Sequence, residues 1–130
     1  MTRVLAILAT YNEERFIDAC LANLVRQGLD VYLIDNESTD QTRAIAERYR
    51  GRGLIGVETL PRGGLYRWEQ ILTRKAEIAA DSDYDWCLHV DADEIRLPPP
   101  RFGTLAEAVA DADARGYNAI DFMEFAFVPT

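Results

Sequence analysis

Val4-Leu5-Ala6-Ile7-Leu8-Ala9, followed at once by Thr10-Tyr11-Asn12-Glu13-Glu14, is the stretch on which the fold turns. Its apolar residues run on without alternation, so no face of the segment is polar, and that pattern predicts a strand covered on both sides. Outward from it the same logic repeats. Asn12 has the chemistry of a helix cap, and Glu13 and Glu14 suit the positive end of a helix. Phe16, Ile17, Cys20, Leu21, Leu24 and Val25 then form one apolar stripe, which Gly28 ends. Val31 to Ile34 is a second buried strand, stopping at Asp35-Asn36. Ser38, Thr39 and Asp40 offer caps for a helix to about Arg50, closed by Gly51 and Gly53, and Leu54 to Leu60 is a third strand weakened by Gly56.

Pro61-Arg62-Gly63-Gly64 reads as a mobile loop. A helix follows with Leu65, Trp68, Ile71, Leu72 and Ala76 facing inward, ending near Ala80. Trp86 to Val90 is a fourth strand that runs directly into Asp91-Ala92-Asp93-Glu94. Beyond the break at Pro98-Pro99-Pro100, Thr104 or Gly103 opens an Ala-rich helix to Arg115, and Ala119 to Val128 reads as a fifth strand. Strands alternating with helices predict crossover units and a mainly parallel, Rossmann-type three-layer α/β/α sandwich, one domain over residues 1–130. A strand-like ending without a closing element predicts that this domain is incomplete, the amino-terminal portion of a longer protein.

Composition narrows the function. At 130 residues and 48% hydrophobic, the chain can bury a core. A formal charge of −8 points away from nucleic acid, which rewards basic surfaces. An acidic protein that binds a diphosphate must offset the repulsion locally, with an arginine cluster or a divalent cation. Cys20 and Cys87 sit inside apolar stretches and read as buried thiols. No long apolar run marks a membrane span or signal peptide, so a cytoplasmic location is expected, with peripheral contact to a membrane left open.

In open α/β sheets, ligands bind beyond the carboxyl ends of the strands where strand order reverses. Three strand ends here carry suitable side chains: Thr10-Tyr11-Asn12-Glu13, Asp35-Asn36 and Asp91-Ala92-Asp93. Two carboxylates one residue apart at a strand end can share a hard cation such as Mg2+ or Mn2+, and the plain alternative is a solvated acidic turn. Asp35 can accept from a base N–H or a ribose hydroxyl, or simply cap a turn. Tyr11 can flank a base, and Glu13 alone reads as a first-turn partner of the helix dipole. Arg62, Arg67, Arg74 and Lys75 offer one group that could reach a phosphate, though solvated surface is the plainer fate of each. His89, the single histidine, reads as a satisfied core residue, and Phe122, Phe125 and Phe127 as core or an uncovered edge.

Taken in series, Leu8-Ala9-Thr10-Tyr11-Asn12-Glu13-Glu14, Leu33-Ile34-Asp35-Asn36-Glu37-Ser38-Thr39-Asp40 and Trp86-Cys87-Leu88-His89-Val90-Asp91-Ala92-Asp93-Glu94 resemble the inverting family 2 glycosyltransferases of the GT-A fold. The resemblance implies nucleotide contacts from Ala9, Thr10, Tyr11, Glu13, Asp35, Asp91 and Ala92, and a metal site at Asp93 with Asp91. Within that set Asp35 would hold the base, and Asp91 would meet ribose or a metal-bound water. It implies transfer of a sugar from a UDP- or GDP-linked donor to an acceptor hydroxyl, with Mg2+ or Mn2+ as cofactor. Ala9 departs from the family's frequent proline. The family's general base lies well beyond the Asp-x-Asp, where this chain offers only Glu124 as a weak candidate. A dinucleotide oxidoreductase would need Gly-x-Gly-x-x-Gly in the first turn, which Ala9 to Glu14 lacks. A non-catalytic nucleotide- or partner-binding module of the same fold is the alternative.

Overall fold

The computed structural model describes residues 1–127. Four strands, β1 (Val4–Thr10), β2 (Asp30–Asp35), β3 (Leu54–Thr59) and β4 (Trp86–Asp91), form one sheet in the order β3-β2-β1-β4. All three pairings are parallel, as the unbroken apolar runs required. Four helices connect or follow them: α1 (Ile17–Arg26), α2 (Thr42–Glu47), α3 (Trp68–Asp81) and α4 (Leu105–Ala114). Successive crossovers carry the chain from β1 to β3 on one side, and α3 then brings it back to β4 on the other. The order therefore reverses at β1, and a crevice opens outside the carboxyl ends of β1 and β4.

Alternate β1 residues feed two cores. Val4, Ala6 and Leu8 pack with Ile17, Cys20, Leu21 and Leu24 of α1, Ala46 of α2 and Leu105 and Val109 of α4. Leu5 and Ile7 join Ile34 on the opposite face, covered by Ile78 and Ala79 of α3. This is the expected three-layer sandwich. Gly28 closes α1 as its position promised: it adopts φ +82°, the Leu29 amide donates to the Leu24 carbonyl and the Gly28 amide to that of Val25. A Cβ there would come within 2.9 Å of the Ala106 methyl, so both backbone conformation and space demand glycine.

Several expectations are corrected. The first helix starts at Ile17, not at Asn12, because Asn12 takes φ +50° and its side chain bonds across to Thr39 instead of capping. The second helix stops at Glu47, short of Arg50. The third helix starts at Trp68, beyond the exposed Leu65; within it Ile71 is buried, Trp68 and Ala76 are exposed, and Lys75 takes the inward place. Cys87 and His89 are exposed, because α3 lies over β1 and leaves their face of β4 open; Cys20 is buried as expected. The fifth strand expected from Ala119 is not formed over residues 119–127, and Val128 lies outside the described residues. β propensity reports fit to a pleated, half-covered surface. Here Phe122 packs onto the core, while Phe125 and Phe127 are 73% and 94% exposed, with nothing covering them among the described residues. Among the described residues, no helix is long and apolar enough to cross a membrane.

Candidate functional site

Strand register decides which loops meet. Thr10 pairs with Asp35 and Ala9 with Asp91, so the polar ends of β1, β2 and β4 reach one rim at the same level. There they border a cleft of about 350 Å³ whose polar lining includes Thr10, Tyr11, Glu13, Asn36, Arg62, His89, Asp91 and Asp93. That volume is in the range of small-molecule sites. Tyr66, Trp68, Ile71 and Leu72 supply its apolar wall. Sequence reasoning placed Trp68 in the core. Its exposure on the first turn of α3 puts it on the cleft instead.

The β1–β2 side is densely bonded. Asp35 is buried, and its carboxylate accepts from the Thr10 hydroxyl at 3.2 Å, the Ser38 hydroxyl at 2.6 Å and the Ser38 amide at 3.0 Å. Three of roughly four acceptor positions are thereby filled. The Asn12 amide donates to the Ser38 hydroxyl, the Glu13 amide to Thr42 Oγ1 and the Glu14 amide to Asp40, so the first loop is zipped to the second. Asn36 donates from Nδ2 to the Leu60 carbonyl at 2.8 Å, which ties in the end of β3. Asp35 stands behind the cleft wall and does not line it.

Arg62 closes this side. Its amide donates to Glu37 Oε1 at 2.6 Å, its guanidinium donates to Asn36 Oδ1 at 3.3 Å, and its Cζ lies 3.6 Å from the Tyr11 ring centroid. Such a stack is a cation–π contact with the cation still facing open space. The residue expected as solvated surface is thus a cleft component. Arg74 is turned away, bound to Glu58 and Glu77.

The β4 side has a different character. Asp91 and Asp93 are exposed and line the cleft beside Glu13. Burial first, then the charges of Asp93, Asp91 and Asp40, push the Glu13 carboxyl above its ordinary range. The same field reaches Cys20, whose thiol burial and then Glu94, Asp93 and Asp91 push up to about 12. The turn after β4 is held by the Glu94 amide donating to the Asp91 carbonyl and the Asp91 amide to Glu94 Oε1. Ala92 is buried beneath it. Arg96 pairs with Glu94 and leaves its Nε buried without a partner among the described residues.

Lys75 was expected at the solvated surface, with reach to a phosphate as the alternative, and is buried instead. It is 6% exposed, and burial lowers its ammonium to about 8 against the pull of Asp91 and Glu94. Its Nζ lies 2.7 Å from His89 Nδ1 and 3.2 Å from the Val90 carbonyl. The only signal was its place four residues after Ile71 on the inward stripe, legible once the helix phase is known. His89 lines the cleft and is not a core residue; burial and the neighbouring Lys75 charge hold its imidazole below the ordinary range.

Among the described residues no group of three or more His, Cys, Asp or Glu side chains is arranged to hold a metal ion. The donors present still suit a hard divalent cation. Mg2+ and Mn2+ are held by one or two carboxylates plus phosphate oxygens and water, and two exposed carboxylates inside an acidic field answer that description. Glu124 is exposed and does not line the cleft.

A family model described as Glycosyl transferase family 2 matches residues 5–119. The chain is 31% identical over 101 residues to a poly(ribitol-phosphate) β-N-acetylglucosaminyltransferase, TarS, of Staphylococcus aureus, covering 72% of this chain and 17% of that protein. A structure of S. aureus TarS residues 1–349 in complex with UDP superposes with a TM-score of 0.65 at 25% identity, over 88% of this chain and 33% of that one. The mannosyltransferase PcManGT of Pyrobaculum calidifontis, in complex with GDP-Man and Mn2+, gives a TM-score of 0.58 at 30% identity, over 82% of this chain and 31% of its own.

Proposed function

The chain belongs to glycosyl transferase family 2, and from that premise we propose that residues 1–130 form one domain binding a nucleoside diphosphate sugar, UDP- or GDP-linked, in the cleft at the carboxyl rim of the sheet. The reading extends to transfer of the sugar onto an acceptor hydroxyl. One observation carries it: β1, β2 and β4 end in register, so Tyr11, Asn36, Asp91 and Asp93 converge on one cleft at the point where strand order reverses, where Arg62 joins them from the loop after β3. A TarS structure holds UDP and the PcManGT structure holds GDP-Man with Mn2+, which supports the same class of ligand here.

In this reading Tyr11 flanks the base, while Thr10 and Ala9 shape the wall beside it. Asp35, behind the cleft wall, acts on the nucleotide only through Thr10 and Ser38, which it holds in place. Arg62 offers its guanidinium to the diphosphate at the cost of its contact with Asn36. Asp93 and Asp91 would hold Mg2+ or Mn2+, which when bound supplies Lewis-acid stabilisation of the leaving diphosphate. Glu13 deepens the negative field that draws the cation in. An overall charge of −8 makes such local compensation obligatory for a diphosphate ligand.

Calorimetric titration of the chain with UDP and with GDP, each with and without Mn2+, tests this. One nucleotide should bind, more tightly with Mn2+, and Asp93→Ala should abolish the metal's effect. Binding of neither nucleotide, or binding indifferent to Mn2+ and to Asp93→Ala, would end the reading. The full-length protein assayed for glycosidic bond formation then separates an enzyme from a non-catalytic module of the same fold.

A further inference from the structure

The stripe by which α3 packs on the sheet carries Ile71, Lys75, Ile78 and Ala79. An aliphatic residue would fill position 75 with no solvation cost, whereas a buried ammonium must find acceptors for its donors. It finds two on His89 and Val90 of β4, with the Asp91 carboxylate as a charge neighbour just beyond them. Nζ lies 2.7 Å from His89 Nδ1, 3.2 Å from the Val90 carbonyl oxygen and 4.0 Å from Asp91 Oδ1. The cation thus addresses the strand end that carries the aspartates, from behind the cleft wall.

An ammonium group can only donate. His89 Nδ1 facing it must therefore accept, and the ring proton belongs on Nε2. The ring itself lines the cleft between the apolar wall of α3 and the Asp91–Asp93 turn. We propose that Lys75 is a positioning residue that locks His89 as the neutral Nε2–H imidazole, and that His89 donates this hydrogen to the diphosphate of a nucleotide bound in the cleft. The inference rests on the nucleotide reading given above and deepens it. A neutral donor suits the place. A second fixed positive charge beside Asp91 and Asp93 would compete with a divalent cation, while an apolar residue would leave a phosphate oxygen without a partner. Fixing the orienting bond at the far ring nitrogen is the way proteins hold imidazole ligands and donors in one orientation.

His89 is the only histidine in the chain, so one spectrum reads it without assignment. Two-bond proton–nitrogen correlation on the 15N-histidine-labelled chain at neutral pH should show a protonated Nε2 and a bare Nδ1. In Lys75→Met the two nitrogens should move toward the averaged shifts of exchanging tautomers, with far-ultraviolet circular dichroism unchanged. Binding adds the second half. His89→Gln, whose amide nitrogen reaches the place of Nε2, should hold UDP or GDP within about twofold of the parent. His89→Asn, whose amide reaches only the place of Nδ1, should weaken it roughly tenfold or more, as loss of a hydrogen bond to a charged group does. The corresponding nucleoside, lacking the diphosphate, should not distinguish the two variants. Lys75→Met should weaken the diphosphate in the parent but add little on top of His89→Asn.

A proton on Nδ1, or tautomers already averaged in the parent, overturns the role of Lys75. Equal affinities for the Gln and Asn variants overturn the phosphate contact. Should the parent chain bind neither UDP nor GDP, the nucleotide reading and the phosphate contact fall together, while the spectrum still decides the Lys75–His89 pair. The two failures are therefore distinguishable.

Discussion

The two sides of the cleft solve opposite problems with the same sheet. On the β1–β2 side most polar groups near the rim have found a partner within the chain: Asp35 with Thr10 and Ser38, Asn12 with Thr39, Arg62 with Glu37, Asn36 and Tyr11. On the β4 side Asp91 and Asp93 stand exposed, close enough to Glu13 to raise its carboxyl, with the buried Lys75 4.0 Å from Asp91. The first side is finished before any ligand arrives. The second keeps like charges together at a cost, which a bound cation would relieve. The contrast separates residues that hold the site's shape from residues that hold a ligand, and each half can be tested by a measurement the other should not move.

The largest effect belongs to the finished side. Asp35→Ala removes the acceptor of the buried Thr10 hydroxyl and of the half-buried Ser38 hydroxyl and amide. Such losses cost about 1–3 kcal/mol per stranded group, so a drop of about 3 kcal/mol in the stability read from urea unfolding is expected. A change under about 0.5 kcal/mol, ordinary for a surface position, would mean that these bonds do not hold the rim.

Next in size is Lys75, with the opposite sign. Its folded-state ammonium sits at about 8 against the ordinary 10.5, because burial disfavours the charged form. The unfolded chain therefore binds more protons than the folded one between those values, and stability should rise with pH across that window. The penalty is fully present below about 8, so Lys75→Met should be more stable than the parent at neutral pH and should lose the rising limb. Urea unfolding at neutral and alkaline pH checks this, and an unchanged limb in the variant would assign it elsewhere. Gained stability together with weakened diphosphate binding is the signature of a residue kept for positioning.

How much of this was open to a reader of the sequence differs between the halves. Val4 to Ala9 and Val31 to Ile34 were readable as covered parallel strands from their unbroken apolar runs, and Trp86 to Val90 as a strand, though not with Cys87 and His89 exposed. With the strands placed, the polar ends had to reach the same rim, and Tyr11, Glu13, Asp91 and Asp93 were found that way. The bonds that finish the β1–β2 side were not readable. Asn12 had an equally good local use as a helix cap, and only the approach of the second loop decided for Thr39. The inward turn of Lys75 and the exposure of His89 depend on where α3 lies across the sheet, a tertiary fact with no local signature. The run from Ala119 failed for the same reason in reverse: its residues favour a strand, but over 119–127 they have no ladder to join.

A smaller effect on stability, with a larger one on binding, is expected at Asp93. The side chain is exposed and lies in a cluster of its own sign, so Asp93→Ala should leave urea stability within about 0.5 kcal/mol of the parent. The metal dependence of nucleotide binding should nevertheless disappear. Loss of stability comparable to that of Asp35→Ala would place Asp93 among the structural residues and erase the difference between the two sides.

The finest test reads Glu13, where the two sides touch. Its amide is part of the finished zipper, through Thr42, while its carboxyl lies in the acidic field. Because burial and then Asp93, Asp91 and Asp40 raise its folded-state pKa above the ordinary value, the folded chain binds more protons than the unfolded one in that window. Ionising Glu13 therefore works against the fold: its contribution falls as pH rises through the window and is relieved as pH falls below it, opposite to the usual acid loss of carboxylate stability. Carboxyl 13C titration should show Glu13 ionising above the ordinary glutamate range, moving down in Asp93→Asn and down again in the parent when Mn2+ is added. The neighbouring aspartate charge would be removed in the first case and neutralised in the second. A Glu13 titration that ignores both would mean that the carboxylates of β1 and β4 do not share one field, and that the cleft has no cation-seeking side at all.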